Sequence, residues 1–263
     1  MKHAGSREDL LKKQRPVWRD VVQSGPTGQS PISLVGCFIC LLFLLAVIFD
    51  PAMRDLARSS DPSAQHVLRW VTGFGNSAYS LITSLALLCW LTLAKRWGAD
   101  LPVEATRNFR SSLILLVAAV ALSGTVASLA KNVIGRARPS FAPDSGVFDF
   151  SPFAFTPGLA AFPSGHATTA TACAVVFAIV CSRHSWVWLC IGAIAALSRA
   201  LLGVHWLTDC LAGMALGAIV TLAVHRWMVD HGHVFRIEAS VPAALIKDVW
   251  GHMSRHGRAN PRV

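Results

Sequence analysis

Charge is scarce in this 263-residue chain: Asp, Glu, Lys and Arg together make up 14% of it, against about 25% in an average soluble domain. With 53% of the residues hydrophobic, that scarcity points away from an ordinary water-soluble fold. The long apolar runs lack period-two alternation and are rich in Leu and Ala, which disfavours strands. No small-residue cleavage site follows the first of them, so it is expected to stay as a membrane span and not to leave as a signal peptide. Internal repeats and low-complexity tracts are missing too. None of the seven cysteines lies outside an apolar run, which argues against a secreted disulfide framework. Cys37 and Cys40 form a CxxC, read here as two small packing residues inside a helix.

What remains is hydrocarbon-like sequence in blocks. A helix needs about 20 mostly apolar residues to cross a bilayer core at ~1.5 Å per residue. Six runs approach that length: Ile32 to Phe49, Ala78 to Ala94, Ser112 to Ala130, Ala167 to Cys181, Trp186 to Val204 and Leu207 to Val229. The expected fold class is therefore all-α, a polytopic membrane protein built as a six-transmembrane-helix bundle. Its expected parts are an N-terminal tail over residues 1–30, the membrane domain over 31–230 and a C-terminal tail over 231–263.

The formal charge of +10 fits membrane orientation better than nucleic acid, and no nucleic-acid partner is expected. Lys and Arg crowd both tails and the connection after the second run (Lys95, Arg96, Arg107, Arg110), all on one side of a six-span layout, with Arg183 in the short fourth-to-fifth turn. The positive-inside rule then makes both termini cytoplasmic and turns the other side outward. The C-terminal tail mixes Trp250 with basic residues and is expected on anionic lipid. Pro62 to Thr72 reads as a short interfacial helix with Trp70 and Phe74 as anchors, followed by a turn at residues 73–77. Gly213 and Gly217 make a GxxxG, read as a close helix contact inside the bundle.

The chemistry-bearing residues gather on the outward side. Lys131 and Arg138 are seven apart, so a helix continuing through both would set them on one face. Arg199 stands inside an apolar run with no acidic sequence neighbour, at an insertion cost of about 2.5–3.5 kcal/mol for a helix centre, which makes a bound anion its expected partner; snorkelling to the interface is the plain alternative. Pro163-Ser164-Gly165-His166 precedes the fourth run, where Ser164 suits an N-cap and free backbone N–H groups offer an anion site. His205 and Asp209 are four apart, the spacing at which a carboxylate fixes an imidazole tautomer across one helical turn. Metal binding is the weaker reading, because Asp209 is the only carboxylate in the last two of these stretches and the nearby cations repel a divalent ion. Three fixed cations neutralise phosphoryl oxygens instead.

Taken together, Lys131-x6-Arg138-Pro139, Pro163-Ser164-Gly165-His166 and Ser198-Arg199-x5-His205-x3-Asp209 resemble the three-part signature of the type 2 phosphatidic acid phosphatase superfamily, in its membrane lipid phosphatase branch. The resemblance implies His205 as a nucleophile forming a phosphohistidine, His166 as the acid that protonates the departing oxygen, and Asp209 as the orienter of His205. It implies Lys131, Arg138, Ser164, Gly165 and Arg199 as phosphate ligands, and no metal or other cofactor. Its soluble relatives, vanadium haloperoxidases and acid phosphatases, do not match the apolar spans here.

The leading expectation is an integral-membrane hydrolase of a lipid phosphate or diphosphate, sited at the periplasmic face of a bacterial inner membrane, with the lipid and the bilayer as partners and no obligate protein partner. A lipid phosphotransferase and a non-catalytic anion-binding membrane protein are the alternatives; phosphate release and a phosphohistidine trap separate them. Phosphatidic acid, phosphatidylglycerol phosphate, undecaprenyl diphosphate and a lipid A phosphate all remain open as substrates. The loop from Gly135 to Phe162 carries six phenylalanines, expected either to meet an acyl or prenyl chain or to pack on helix ends. Unchanged activity on long and short chains after making Phe148 and Phe150 polar counts against the first.

Overall fold

The computed structural model describes residues 31–99, 101–141 and 146–233, with side chains from residue 35 onward. The expectations for the two charged tails lie outside the described residues, apart from the first few positions past the last helix. Among the described residues there are seven α-helices: α1 Pro31–Arg58, α2 Pro62–Val71, α3 Ser77–Arg96, α4 Val103–Ile134, α5 Gly165–Val180, α6 Ser185–Leu201 and α7 Leu207–Asp230. Among the described residues there is no strand, only an isolated antiparallel bridge between Arg136 and Phe150. The chain divides into two compact units, residues 1–43 and 44–263. In the first, Val35, Phe38, Ile39, Leu41 and Phe43 are exposed along the helix. Everything below concerns the second.

Among the described residues five helices are long and apolar enough to cross a membrane: α1, α3, α4, α6 with the short turn before it, and α7. The remaining apolar helix, α5, has 16 residues, about 24 Å, and falls short of a full crossing by length alone. It is nevertheless the hub of the bundle. Residues 167–176 are all buried, and α5 packs against α4, α6 and α7. One core cluster joins Leu115, Leu116, Ala119 and Val120 of α4 to Cys173 and Val176 of α5. Another joins Ala167 and Ala170 of α5 to Ala195, Ala196 and Ala200 of α6.

Small residues make this closeness possible. A Cβ on Gly213 would stand 2.5 Å from the Ser164 carbonyl oxygen, and one on Gly217 would stand 2.3 Å from that of Thr168, so the GxxxG of α7 is a contact with α5 inside the bundle. Outward-facing Ile82, Leu85, Leu129, Ile194, Ile219 and Leu222 are exposed, as side chains facing lipid are expected to be.

Helix ends follow local chemistry. Asp61 caps α2 by accepting from Ser63 N, with Pro62 in the first turn; Asn76 caps α3 by accepting from Ala78 N. α4 stops at Gly135, whose φ of 65° is a left-handed cap. This corrects the expectation for the first signature: Arg138 is not on the helix that carries Lys131 but in the irregular segment after it. α1 also runs past Phe49 to Arg58, so Asp50 lies within the helix instead of opening a loop. Phe74 departs as well. It packs against both core clusters, while Trp70 alone of the two expected anchors is exposed, at 76%.

Candidate active site

Three sequence-distant stretches meet at one end of the helices: the last turn of α4 with Gly135 to Pro139 after it, the start of α5, and the stretch from the last turn of α6 into α7. Backbone hydrogen bonds tie them. Ser164 N donates to Asp209 O at 2.9 Å, Ala161 N to Arg136 O at 3.0 Å, and Arg138 N to Gly158 O at 2.9 Å. Trp206, fully buried, donates its indole N–H to Ala137 O at 2.8 Å and so locks the first signature segment to the third.

Within this frame the expected residues come together. Ser164 is the N-cap of α5, its hydroxyl accepting from Ala167 N, so Gly165 and His166 occupy the first turn, where backbone N–H groups point out of the helix end. The Lys131 ammonium hangs over Gly165: a Cβ there would stand 3.0 Å from Nζ. The charges of Arg199, His205, Lys131 and Arg138 all act on the His166 imidazole, and those of Arg138 and Arg199 act on Lys131. Lys131, Arg138, His166 and Arg199 are each half-buried, whereas Ser164, His205 and Asp209 are buried. The cations and the two imidazoles thus lie within reach of one another's charge, with His205 the more deeply buried of the imidazoles.

Among the described residues, none of Lys131, Arg138 and Arg199 forms an ion pair, and the Nε atoms of Arg138 and Arg199 are buried without a hydrogen bond. Three like charges held together, with Asp209 acting on Lys131 and Arg138 only from beyond ion-pair distance, favour a bound anion. No group of three His, Cys, Asp or Glu side chains gathers among the described residues in a way that could hold a metal ion.

His205 Nδ1 lies 3.5 Å from Asp209 Oδ2. That is the outer limit of hydrogen-bond reach, and Nδ1 makes no aligned hydrogen bond, so carboxylate and imidazole face each other across an electrostatic contact. Burial pushes the His205 imidazole below its ordinary value; Asp209 opposes that shift, and the charges of Arg138 and Arg199 add to it. A neutral imidazole with Nδ1 turned toward a carboxylate leaves Nε2 as its free nitrogen.

Reading along the chain missed the support beneath Asp209. Arg136, 3% exposed, donates to Asp209 Oδ1 at 2.6 Å and to Asp50 Oδ2 at 2.9 Å. Thr208 Oγ1 accepts from Arg136 at 2.9 Å and donates to Asp50 Oδ2 at 2.6 Å. The available signal was Asp50 itself, a carboxylate at the border of an apolar run, whose partner lies 86 residues onward. The loop phenylalanines Phe141, Phe148, Phe150, Phe153 and Phe155 are exposed in part, with the Phe150 ring beneath the Arg136 guanidinium, while Phe162 is half-buried.

Comparison with known proteins converges on one group. The model of the PAP2 superfamily matches residues 112–232. A lipid A 1-phosphatase of Rhizobium johnstonii is 31% identical over 228 residues, covering 84% of this chain and 89% of the relative. A decaprenylphosphoryl-5-phosphoribose phosphatase of Mycobacterium tuberculosis is 29% identical over 177 residues, covering 66% and 80%. The crystal structure of a transmembrane PAP2 type phosphatidylglycerolphosphate phosphatase from Bacillus subtilis shares the fold, with a TM-score of 0.52 at 22% identity over 79% of this chain and 98% of that one.

Proposed function

This chain belongs to the PAP2 superfamily, and from that premise we propose that it is an integral-membrane phosphatase hydrolysing the phosphate or diphosphate monoester of a lipid through a phosphohistidine on His205. The observation that carries this reading is the set of three cations, none in an ion pair among the described residues, held around two imidazoles, a distribution of charge that suits the phosphoryl oxygens and their growing negative charge.

In the first step His205 Nε2 attacks phosphorus, an N–P bond forms, and the bond from phosphorus to the lipid oxygen breaks. His166 gives its proton to that departing oxygen. Asp209 stabilises the positive charge that His205 acquires, while Lys131, Arg138, Arg199, the Ser164 hydroxyl and the Gly165 backbone N–H hold the phosphoryl oxygens. In the second step His166, now neutral, takes a proton from water as its oxygen attacks phosphorus. The N–P bond breaks, and inorganic phosphate leaves with His205 restored. No metal enters either step.

The proposed topology has six spans, with α5 as the short central one, both termini cytoplasmic and the site facing the periplasm. A lipid A phosphate heads the candidate substrates, because the relative matched over 89% of its length carries that name. Phosphatidic acid, phosphatidylglycerol phosphate and undecaprenyl diphosphate follow. Detergent-solubilised protein assayed for inorganic phosphate over these four lipids is expected to act on at least one, with the His205→Ala variant silent on all. Phosphate release no greater than that variant's background on every lipid would end the proposal. Disappearance of substrate with the phosphoryl group recovered on a second lipid would instead favour transfer.

A further inference from the structure

The carboxylate of Asp50 is fully buried in the second unit, on a helix long and apolar enough to span a bilayer. A charge in that setting is retained only when it is paired and its lone pairs are satisfied. Both oxygens are: Oδ1 accepts from Thr208 N at 3.0 Å, and Oδ2 accepts from Thr208 Oγ1 and Arg136 Nη2. The Arg136 guanidinium is satisfied in turn by Thr208 Oγ1, Asp209 Oδ1 and, through Nε and Nη2, Val147 O at 3.1 and 2.9 Å. Its Cζ stands over the rings of Trp206 and Phe150, 5.3 and 6.0 Å from their centroids.

None of the phosphate-ligand or acid–base roles assigned above uses Asp50 or Arg136, yet their network ends on the carboxylate that faces His205. Asp209 divides its two oxygens. Arg136 takes Oδ1, and Oδ2 receives Trp206 N at 2.9 Å while facing His205 Nδ1. That division fixes the rotation of the carboxylate. It also raises a question of charge: were Arg136 paired with Asp209 alone, the two would cancel and little negative field would reach the imidazole. Asp50 shares the guanidinium. The trio of Asp50, Arg136 and Asp209 carries a net single negative charge, and His205 stands against it.

We infer that Asp50 is a positioning residue for the nucleophile, acting through Arg136 and Thr208 to hold Asp209 in its rotation and to leave it enough negative charge to stabilise the His205 cation formed on attack. This rests on the reading of His205 as the nucleophile. Besides Asp209, the groups that act on the His205 imidazole are Arg138 and Arg199 from the facing segments and His166 from the start of α5.

The test uses full-length protein in detergent with p-nitrophenyl phosphate, whose leaving group departs without a proton and so reports attack by His205. Asp50→Asn keeps the shape and removes the charge. It is expected to lower kcat about 10- to 100-fold, the scale of a small misplacement of a reacting group. It should leave KM and inhibition by inorganic phosphate within about twofold, since the cation site is untouched. With less negative charge opposite the imidazole, the acid limb of kcat/KM should move to lower pH, and Asp50→Glu should move it back. An unaltered kcat and acid limb, or parallel losses in kcat, KM and phosphate affinity, would overturn the inference. If Asp50→Asn fails to fold, Thr208→Val decides, because it removes the hydroxyl bridge and leaves both charges. A wild-type pH profile and kcat there overturn the inference, and a reduced kcat with unchanged KM upholds it. Wild-type protein that leaves no phosphoryl label on His205 instead overturns the nucleophile reading beneath it.

Discussion

A single methyl group at Gly213 should disable the site from behind. The ideal Cβ at this position lies 2.5 Å from the Ser164 carbonyl oxygen and 3.1 Å from Thr168 Oγ1, and ordinary contact begins near 3.4 Å. Relief therefore requires the start of α5 to retreat from α7 by about 0.9 Å, since the nearest atom is backbone and no side-chain rotation removes it. Ser164, Gly165 and His166 ride on that turn, while His205 and Asp209 ride on the start of α7. Their relative displacement approaches the 1 Å that costs on the order of 100-fold in rate. Overpacking of this kind also costs about 1–3 kcal/mol of stability. Gly217→Ala is the matched control: its Cβ would meet Thr168 O at 2.3 Å, an equal insult four residues deeper, about 6 Å along the axis from the site. Gly124→Ala, with nothing within 4 Å, is the blank. Thermal unfolding in detergent and phosphate release from one active lipid give the two readouts. Gly213→Ala and Gly217→Ala should lose similar stability, but only the first should lose most of its kcat. Wild-type turnover in Gly213→Ala, or an equal loss of turnover in both, would refute the reasoning.

Three further outcomes are expected. Attack needs the neutral form of His205, whose proton affinity is lowered by burial, so its acid limb in kcat/KM should fall below the ordinary histidine value of about 6.5; a limb above that value contradicts the site's electrostatics. Incubation with a strong chelator should leave phosphate release unchanged, and loss of activity restored by magnesium would reopen a metal-assisted reaction. Arg136→Met should be the most destabilising change near the site, by about 3–5 kcal/mol, because it leaves Asp50 and Asp209 buried without their shared cation; a melting temperature equal to wild type would show that the network carries no such charge cost.

Much of the fold was legible because a bilayer imposes a crude, uniform demand. Runs such as Ala78 to Ala94 and Leu207 to Val229 matched helices to within a residue or two at each end. The errors fall where apolarity stops being the criterion. α4 begins at Val103, nine residues before its apolar run, because helix propensity and the Glu104 first turn carry it on through charged residues that apolarity does not count. α1 passes Asp50 and Pro51, since the carboxylate is neutralised by Arg136 from a distant segment.

The site divides in the same way. Lys131, His166, Arg199 and His205 could be named because phosphoryl chemistry demands those residue types at helix ends, and the structure brings them within reach of one another's charge. Helical spacing misplaced Arg138, since it took no account of the left-handed cap at Gly135. Asp50, Arg136, Thr208 and Trp206 stayed hidden for a different reason. Each acts through partners 69 to 158 residues away, and no local pattern encodes such a contact.

The central claim is that His205 carries the phosphoryl group. The direct measurement is labelling of the His166→Ala variant with radiolabelled p-nitrophenyl phosphate, quenched in alkaline denaturant, followed by peptide mapping at alkaline pH. With a leaving group that needs no proton, attack by His205 should proceed while hydrolysis, deprived of its base, stalls. Base-stable, acid-labile label accumulating on the peptide that contains His205 is the expected result. Label on another residue, or none while phosphate is still released, would contradict the account.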